Sequence, residues 1–342
     1  MDKQIWHIGI VGSGLIADFH AKAISDIPNA KIVGFSDNGS GKSTVLAEKY
    51  GCQAFHDYRK LIHHPEVQVI TIATPSGAHL EPALEAAKAG RHVLCEKPME
   101  INTHRVDQMI QAHEEAGTRL GGIFNFRHDE AIPEIRQAIE KGRFGTITFA
   151  SVQVPWWRSD DYYKDSWHGT LTLDGGGALM NQSIHMIDLL QYLMGEVAEI
   201  KAFTAKQGHP QIEAEDTGVA ALQFTSGALG FIYGTTASFP GQNRRLEITG
   251  TGGTVQMVED RITCWDFAET GPKDQEILNK NQKTKGGGGV ADPAAINCYG
   301  HLRNIQKFLA AIESRSKFEI DGYEARKAVD IINRIYKDSG LM

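Results

Sequence analysis

Positive charge is in short supply: 35 Lys and Arg stand against 42 Asp and Glu in 342 residues, a formal net charge of −7. A chain so balanced has no overall attraction to phosphate backbones or anionic lipid, which argues against general nucleic-acid or membrane-surface binding. Cysteine is sparse too. Cys52, Cys95, Cys264 and Cys298 are widely spaced with no CxxC pair, so they make neither a zinc site nor a disulfide framework. They read as reduced thiols of a cytoplasmic protein. No apolar run approaches the roughly 18 residues of a membrane span. The opening MDKQIWHIGIVGSG has one early lysine, a short apolar run and no cleavage-type site, so no signal peptide is expected. What is present is an ordinary globular composition, 41% hydrophobic and 23% charged. At roughly 150 residues per domain the length predicts two domains, each able to bury a core without a metal or disulfide staple. Glycine is the one excess, 36 of 342 or about 11% against a usual share of about 7%.

Over the first 120 residues short β-branched runs alternate with helical patterns. Residues 5–11, 31–36, 68–74 and 91–96 read as strands, and 120–126 as a further apolar run. Residues 15–27, 79–89 and 103–116 read as helices, the second stopped by Gly90. That rhythm predicts an N-terminal doubly wound parallel sheet of Rossmann type. Beyond it, a helix at 132–141, a strand at 146–154, a glycine turn at 175–177 and a helix at 182–194 lead into successive strands from 197 to 267. Residues 273–289 read as a mobile surface loop, and helices at 298–313 and 323–337 close the chain. The expected architecture is α/β, with domain boundaries at 1–122 and 123–342. The second domain is α+β on a large, open, mostly antiparallel sheet that binds substrate and mediates oligomerisation. The closing helices are candidates to pack back on the first domain.

The strand at 5–11 runs directly into Gly12-Ser13-Gly14-Leu15-Ile16-Ala17, a GxGxxA turn that opens a helix. Gly12 suits the tight turn, Gly14 lets backbone approach a pyrophosphate, and Ala17 keeps helix close to strand. Asp37 falls 23 residues after Gly14, where a carboxylate accepts the ribose hydroxyls of an adenosine. An acid there repels a 2′-phosphate, and Lys42 is the only nearby cation, so NAD is favoured over NADP. Residues 39–44 (GSGKST) imitate the end of a phosphate-binding P-loop. They lack its first glycine, Ser36 standing there, and follow the wrong strand.

Two segments offer chemistry. Cys95-Glu96-Lys97-Pro98 ends a strand, and ligands of a doubly wound sheet sit at the carboxyl ends of its strands. A partly desolvated Lys97 there can exchange protons near neutrality. Alone, it also fits a surface lysine before a turn. The second segment is GGGALMNQSIHMID, residues 175–188, in which Asn181 and His185 share one helix face. A histidine with a polar partner one turn before it suits proton transfer beside an alcohol. Alone, His185 also fits a satisfied core histidine. No metal site is expected there, because Asn181 is a poor ligand and no carboxylate or second histidine has suitable spacing.

Together, GIVGSGLIADFHAKAI, ATPSGAHLEPALEAAKAGRHVLCEKPM and GGGALMNQSIHMIDLLQYLMG resemble the glucose-fructose oxidoreductase / inositol dehydrogenase / rhizopine-catabolism (Gfo/Idh/MocA) family over nearly the whole chain. The resemblance implies a two-domain NAD(P)-dependent sugar or polyol oxidoreductase, with Lys97 and His185 as its catalytic residues. It implies cofactor contacts from Gly12, Ser13, Gly14, Leu15, Ile16, Asp37, Thr74, Pro75, His79, Glu96, Lys97 and Asn125. Sugar contacts are expected from Lys97, Arg127, Arg158, Tyr163, Trp167, His168, Asn181 and His185. The family often has Asp four residues before the motif histidine. Asn181 stands there and cannot relay a proton, so it is expected to orient substrate.

The stretch WWRSDDYYKDSWHGTLTLDGGGALMNQSIH looks closer to a branch acting on nucleotide-linked or glycosidic sugars, including UDP-N-acetylglucosaminuronate 3-dehydrogenases. That branch often has WRGT where Trp167-His168-Gly169-Thr170 stands, so the change at His168 counts against an anionic substrate group. Aromatic and polar side chains nonetheless suit a sugar, which stacks its C–H face and hydrogen-bonds its hydroxyls. At least one of Trp156, Trp157 and Trp167 is expected to be core or interface.

The expected reaction is hydride transfer between NAD and a secondary hydroxyl of a pyranose sugar, glycoside or nucleotide-sugar. The alternative is an enzyme that retains NAD and cleaves or epimerises a glycoside through transient oxidation. A non-catalytic NAD- or sugar-binding regulator is a third reading, one that leaves Lys97 and His185 without a purpose. An apolar open sheet face around residues 227–235 predicts a homodimer or homotetramer.

Overall fold

The computed structural model describes residues 4–281 and 298–342. The chain folds as two units, Met1–Asn125 with Cys298–Val329, and Phe126–Asn297 with Asp330–Met342.

In the first unit the chain runs β1 (Trp6–Val11), α1 (Leu15–Ser25), β2 (Ala30–Ser36), α2 (Lys42–Tyr50), β3 (Gln53–Phe55), α3 (Tyr58–Ile62), β4 (Val69–Ile72), α4 (Leu80–Lys88), β5 (His92–Cys95), α5 (Thr103–Glu115) and β6 (Leu120–Gly122). The strands form one parallel sheet in the order β3-β2-β1-β4-β5-β6. The order reverses direction beside β1, which makes the β1 and β4 ends the topological switch point where such sheets bind ligands. β4 is buried at all four positions. That is why VITI reads as an unbroken apolar run rather than an alternating one.

The second unit contains α6 (Ala131–Glu140), β7 (Ile147–Pro155), α7 (Asp160–Tyr163), a π-helical turn Ala178–Ser183 that continues into α8 (Ile184–Met194), β8 (Val197–Ala205), β9 (Thr217–Phe224), β10 (Leu229–Thr235), β11 (Arg245–Gly250), β12 (Gly253–Val258), β13 (Arg261–Phe267) and α9 (Asp274–Asn281). Its strands form one sheet in the order β13-β12-β11-β7-β10-β9-β8, antiparallel except where β10 meets β7. The strands alternate, as a sheet with one packed face must. Ala220, Leu222, Phe224 and Ile232 point into the core. On the opposite face Phe203 is 79% and Leu229 57% exposed, while Phe231 and Tyr233 are half-buried. Two helices complete the chain, α10 (Tyr299–Glu313) in the first unit and α11 (Gly322–Ser339), which begins in the first and ends in the second.

The expected fold class is correct, a Rossmann parallel sheet followed by a mostly antiparallel one. Four elements differ from expectation. α2, β3 and α3 occupy a stretch whose short polar pieces gave no periodicity, and α9 fills residues read as loop. The rest of that loop, 282–289, lies outside the described residues. No helix among the described residues is long and apolar enough to cross a membrane.

Candidate active site

The glycine turn sits between β1 and α1. Gly12 has φ +121, and a Cβ there would collide with the carbonyl of Ala73 at the end of β4, so only glycine fits. At Gly14, the N-cap of α1, no atom lies within 4 Å of the place a Cβ would take. The first-turn N–H groups of a helix have no intrahelical acceptor, so this opening fits a pyrophosphate. Leu15 is 47% exposed at the start of α1, beside Ser13 and the half-buried Ile16. Asn125 adds a second sign of fit: its Oδ1 is buried with no hydrogen-bond partner among the described residues.

Asp37 lies just past the end of β2, as the motif requires. Its carboxylate accepts N–H groups of Gly39 at 2.9 Å and Ser43 at 3.0 Å, with the Ser40 hydroxyl at 3.4 Å and His56 Nδ1 at 3.2 Å. These bonds hold it ionised, well below the usual carboxylate range, against the opposing effect of burial. The GSGKST segment is therefore a turn built around Asp37 that opens α2. A ribose can reach these oxygens by displacing Ser40 and His56, the two longest contacts.

Thr74 and Pro75 follow β4, and Thr74 Oγ1 donates to the carbonyl of Ala78 at 3.0 Å. His79, read as a cofactor contact, is buried and its ring nitrogens face three backbone carbonyls, Thr74 at 3.0 Å, Pro98 at 3.0 Å and Met99 at 3.2 Å. It staples the segment after β4 to the turn after β5. That turn holds the half-buried Lys97, joined to Pro98 by a cis peptide. Glu96 beside it is buried and ionised. Its Oε1 lies 2.8 Å from His20 Nε2 and 3.1 Å from His301 Nε2, and its Oε2 accepts the Lys97 N–H at 3.0 Å. The His20–Glu96–His301 cluster is the first unit's largest surprise, because nothing local marks either histidine.

In the second unit the π-helical turn presents Asn181, and α8 presents His185, both half-buried. The His185 ring packs on Phe126 with centroids 4.5 Å apart. Asn181 Nδ2 donates to Asp174 Oδ1 at 2.6 Å and lies 3.5 Å from His168 Nδ1. Asp174 is buried and its Oδ2 accepts the Gly169 N–H at 2.8 Å. A carboxylate thus stands beside Asn181 after all, supplied from seven positions upstream rather than by position 181 itself. The His168 ring stacks on Tyr162 at 4.3 Å with an interplanar angle of 4°, and the Trp167 ring centroid lies 4.0 Å from that of His168 at an angle of 48°. Arg158 lies over the rings of Trp156 and Tyr162, its Nη1 donating to the Trp157 carbonyl.

Two expected sugar contacts are differently engaged. Tyr163 is buried and donates its hydroxyl to Thr236 Oγ1 at 2.8 Å, so its neighbour Tyr162 is the ring that joins the cluster. Arg127 forms a buried two-pronged pair with Asp188, Nε to Oδ2 at 2.7 Å and Nη2 to Oδ1 at 2.5 Å, under the Tyr192 ring. Of the tryptophans, Trp156 is core, while Trp157 and Trp167 are half-buried.

Glu215 anchors the start of this helix. Its carboxylate accepts N–H groups of Gly177 at 3.0 Å and Leu179 at 2.8 Å and the Tyr336 hydroxyl at 2.9 Å, while its own carbonyl accepts the Ala178 N–H at 3.1 Å. A Cβ on Gly177 would strike that carbonyl, which explains the glycine run. Burial pushes the Glu215 carboxyl up to about 7 despite these donors. The folded value lies above that of an unfolded glutamate, so the group's contribution to stability is complete at acidic pH and is lost as pH rises through about 7. The shift corresponds to about 3 kcal/mol. Relative to Glu215→Gln, the unmodified protein is expected to lose about that much stability between pH 4 and pH 8. Urea midpoints at several pH values check this, and parallel curves for the two proteins would refute it.

Comparison with known proteins places these features. The oxidoreductase family with an NAD-binding Rossmann fold matches residues 6–123, and the GFO/IDH/MocA C-terminal domain matches residues 132–256. The myo-inositol 2-dehydrogenase of Thermotoga maritima is 31% identical over 94% of this chain and 92% of its own. The levoglucosan dehydrogenase of Pseudarthrobacter phenanthrenivorans is 26% identical, covering 75% of each. Among solved structures, the WlbA dehydrogenase of Bordetella pertussis, in complex with NADH and UDP-GlcNAcA, superposes with a TM-score of 0.89 and 32% identity over 99% of this chain and 97% of that one. The glycine turn, the Asp37 loop and the strand-end lysine are thus parts of an NAD-binding Rossmann domain, and the chain is an NAD-dependent oxidoreductase belonging to the Gfo/Idh/MocA family.

Proposed function

We propose that the protein oxidises a secondary hydroxyl of a pyranose sugar, presented as a glycoside or nucleotide-sugar, passing the hydride to NAD. Lys97 accepts the hydroxyl proton as the hydride leaves, and His185 is the second group that handles that proton. Gly12, Ser13, Gly14, Leu15 and Ile16 receive the pyrophosphate end of NAD, Asp37 the adenosine ribose, and Thr74, Pro75, Glu96 and Asn125 the remainder. Asn181, His168, Trp167 and Arg158 orient the sugar. The reading rests chiefly on the Tyr162–His168–Asn181–Asp174 cluster one turn before His185, an aromatic face joined to fixed polar groups. Such a lining suits a ring with an apolar C–H face and a polar rim. The relatives support a cyclic polyhydroxy substrate: a myo-inositol dehydrogenase, a levoglucosan dehydrogenase and a dehydrogenase bound to UDP-GlcNAcA. Appearance of reduced nicotinamide on mixing with NAD and a panel of free sugars, glycosides and UDP-sugars tests the proposal. No reduction with any pyranose, alongside reduction with an acyclic polyol, would overturn it.

We also propose that the protein works in the cytoplasm as a homodimer or homotetramer joined through the outer face of its seven-stranded sheet. Phe203, Leu229, Phe231 and Tyr233 share that face, and a monomer rarely leaves so apolar a patch to water. Phe231→Glu or Tyr233→Glu is expected to lower the mass by light scattering while NAD binding persists. A monomeric mass for the unmodified protein at micromolar concentration would refute the assembly.

A further inference from the structure

The His20–Glu96–His301 cluster joins three distant parts of the chain: the second turn of α1, the residue after β5 and the start of α10. All three side chains are buried. Three such ligand types within 4.8 Å of one another could hold a metal ion. Two observations point elsewhere. Both Nε2 atoms face the same carboxylate oxygen at hydrogen-bond distance, 2.8 and 3.1 Å, and a carboxylate ion only accepts, so each Nε2 bears the proton. Each Nδ1 is buried with no hydrogen-bond partner among the described residues. A histidine that binds metal almost always donates its second ring N–H to an acceptor. Here neither does.

With Oε1 held by both imidazoles, Oε2 faces back along the chain and accepts the N–H of Lys97 at 3.0 Å. We propose that His20 and His301 are positioning residues: by fixing Glu96 from both sides they fix the backbone of Lys97, and so the aim of its side chain. This rests on the reading of Lys97 as proton acceptor, but the clamp itself does not depend on that chemistry. α10 thereby serves the site from 204 residues away in sequence, as the element that delivers the second donor.

The test uses the full-length protein with His301→Leu, which removes the donor, His301→Gln, which restores one, and Glu96→Gln, which weakens the acceptor. Amide exchange read by mass spectrometry on the peptide containing Lys97 is expected to quicken about tenfold in His301→Leu and Glu96→Gln and to recover in His301→Gln. If His301→Leu does not fold, Glu96→Gln against His301→Gln makes the same comparison. On the identified sugar, kcat is expected to fall about tenfold in the two impaired variants with little change in KM. Exchange at Lys97 that stays at the unmodified rate in the impaired variants would overturn the clamp. So would one equivalent of zinc in the unmodified protein that is missing from His301→Leu. Should Lys97→Ala keep full turnover, the proton assignment fails while the exchange result still decides the clamp.

Discussion

Replacing Lys97 with alanine is expected to lower kcat by about 10²–10⁴-fold on the identified sugar, the usual contribution of one positioned acid or base. NAD affinity is expected to persist, because the glycine turn, Asp37 and Asn125 stand on other strands and loops. Lys97→Arg sharpens the prediction. It keeps the positive charge, yet a guanidinium does not lose its proton at any working pH. If Lys97 serves as proton acceptor, arginine is expected to be nearly as inactive as alanine. If Lys97 serves only to place a positive charge near the substrate, arginine recovers most of the turnover. Steady-state kinetics of the two variants, with NADH affinity by fluorescence titration, separate these roles. Wild-type kcat in Lys97→Ala would remove the lysine from the mechanism altogether.

Lys97 stands out as a candidate in the sequence because its context is local. A buried apolar strand, a charged pair and a proline follow one another, and the end of a parallel strand is where such sheets bind ligands. Gly12, Gly14 and Asp37 stand out for the same reason. What the sequence hides is every group whose meaning comes from a distant partner. His20 sits among Ala17, Ala21 and Ile24 on the buried face of α1 and reads as core packing, because its partner Glu96 lies 76 residues away. Glu215 lies just before an ordinary alternating strand, and only the fold brings Gly177 and Tyr336 to it. Asp174 gives no local signal because the expected carboxylate position, 181, holds an amide, although the fold puts the Asp174 carboxylate 2.6 Å from it. GSGKST is the reverse case, in which a local pattern imitates a phosphate-binding loop and the fold uses it to surround Asp37. Sequence periodicity gave the two sheets well. The segments it missed, α2 to α3 and α9, are short and polar, and are held by neighbours rather than by their own amphipathic stripe.

Asp188→Ala is expected to cost about 3–5 kcal/mol of stability. Asp188 and Arg127 are each at most 2% exposed, so removing the carboxylate leaves a guanidinium with its main counter-charge gone and no water to replace it. Removing both charges is a different matter. In Arg127→Met/Asp188→Leu the two apolar chains fill similar volume beneath the Tyr192 ring, and no ion remains to be desolvated. The double variant is therefore expected to be more stable than Asp188→Ala alone, a reversal that simple addition of two losses would not give. The same pair of proteins decides what Arg127 does. Sequence resemblance puts it among the sugar contacts, whereas its two-pronged bond to Asp188 makes it a strut between the segment before α6 and the middle of α8, three residues beyond His185. If it is a strut, the double variant keeps its KM for the sugar within about threefold while chemical denaturation records the stability change. A double variant that is well folded yet has lost sugar binding would return Arg127 to the substrate side of the site.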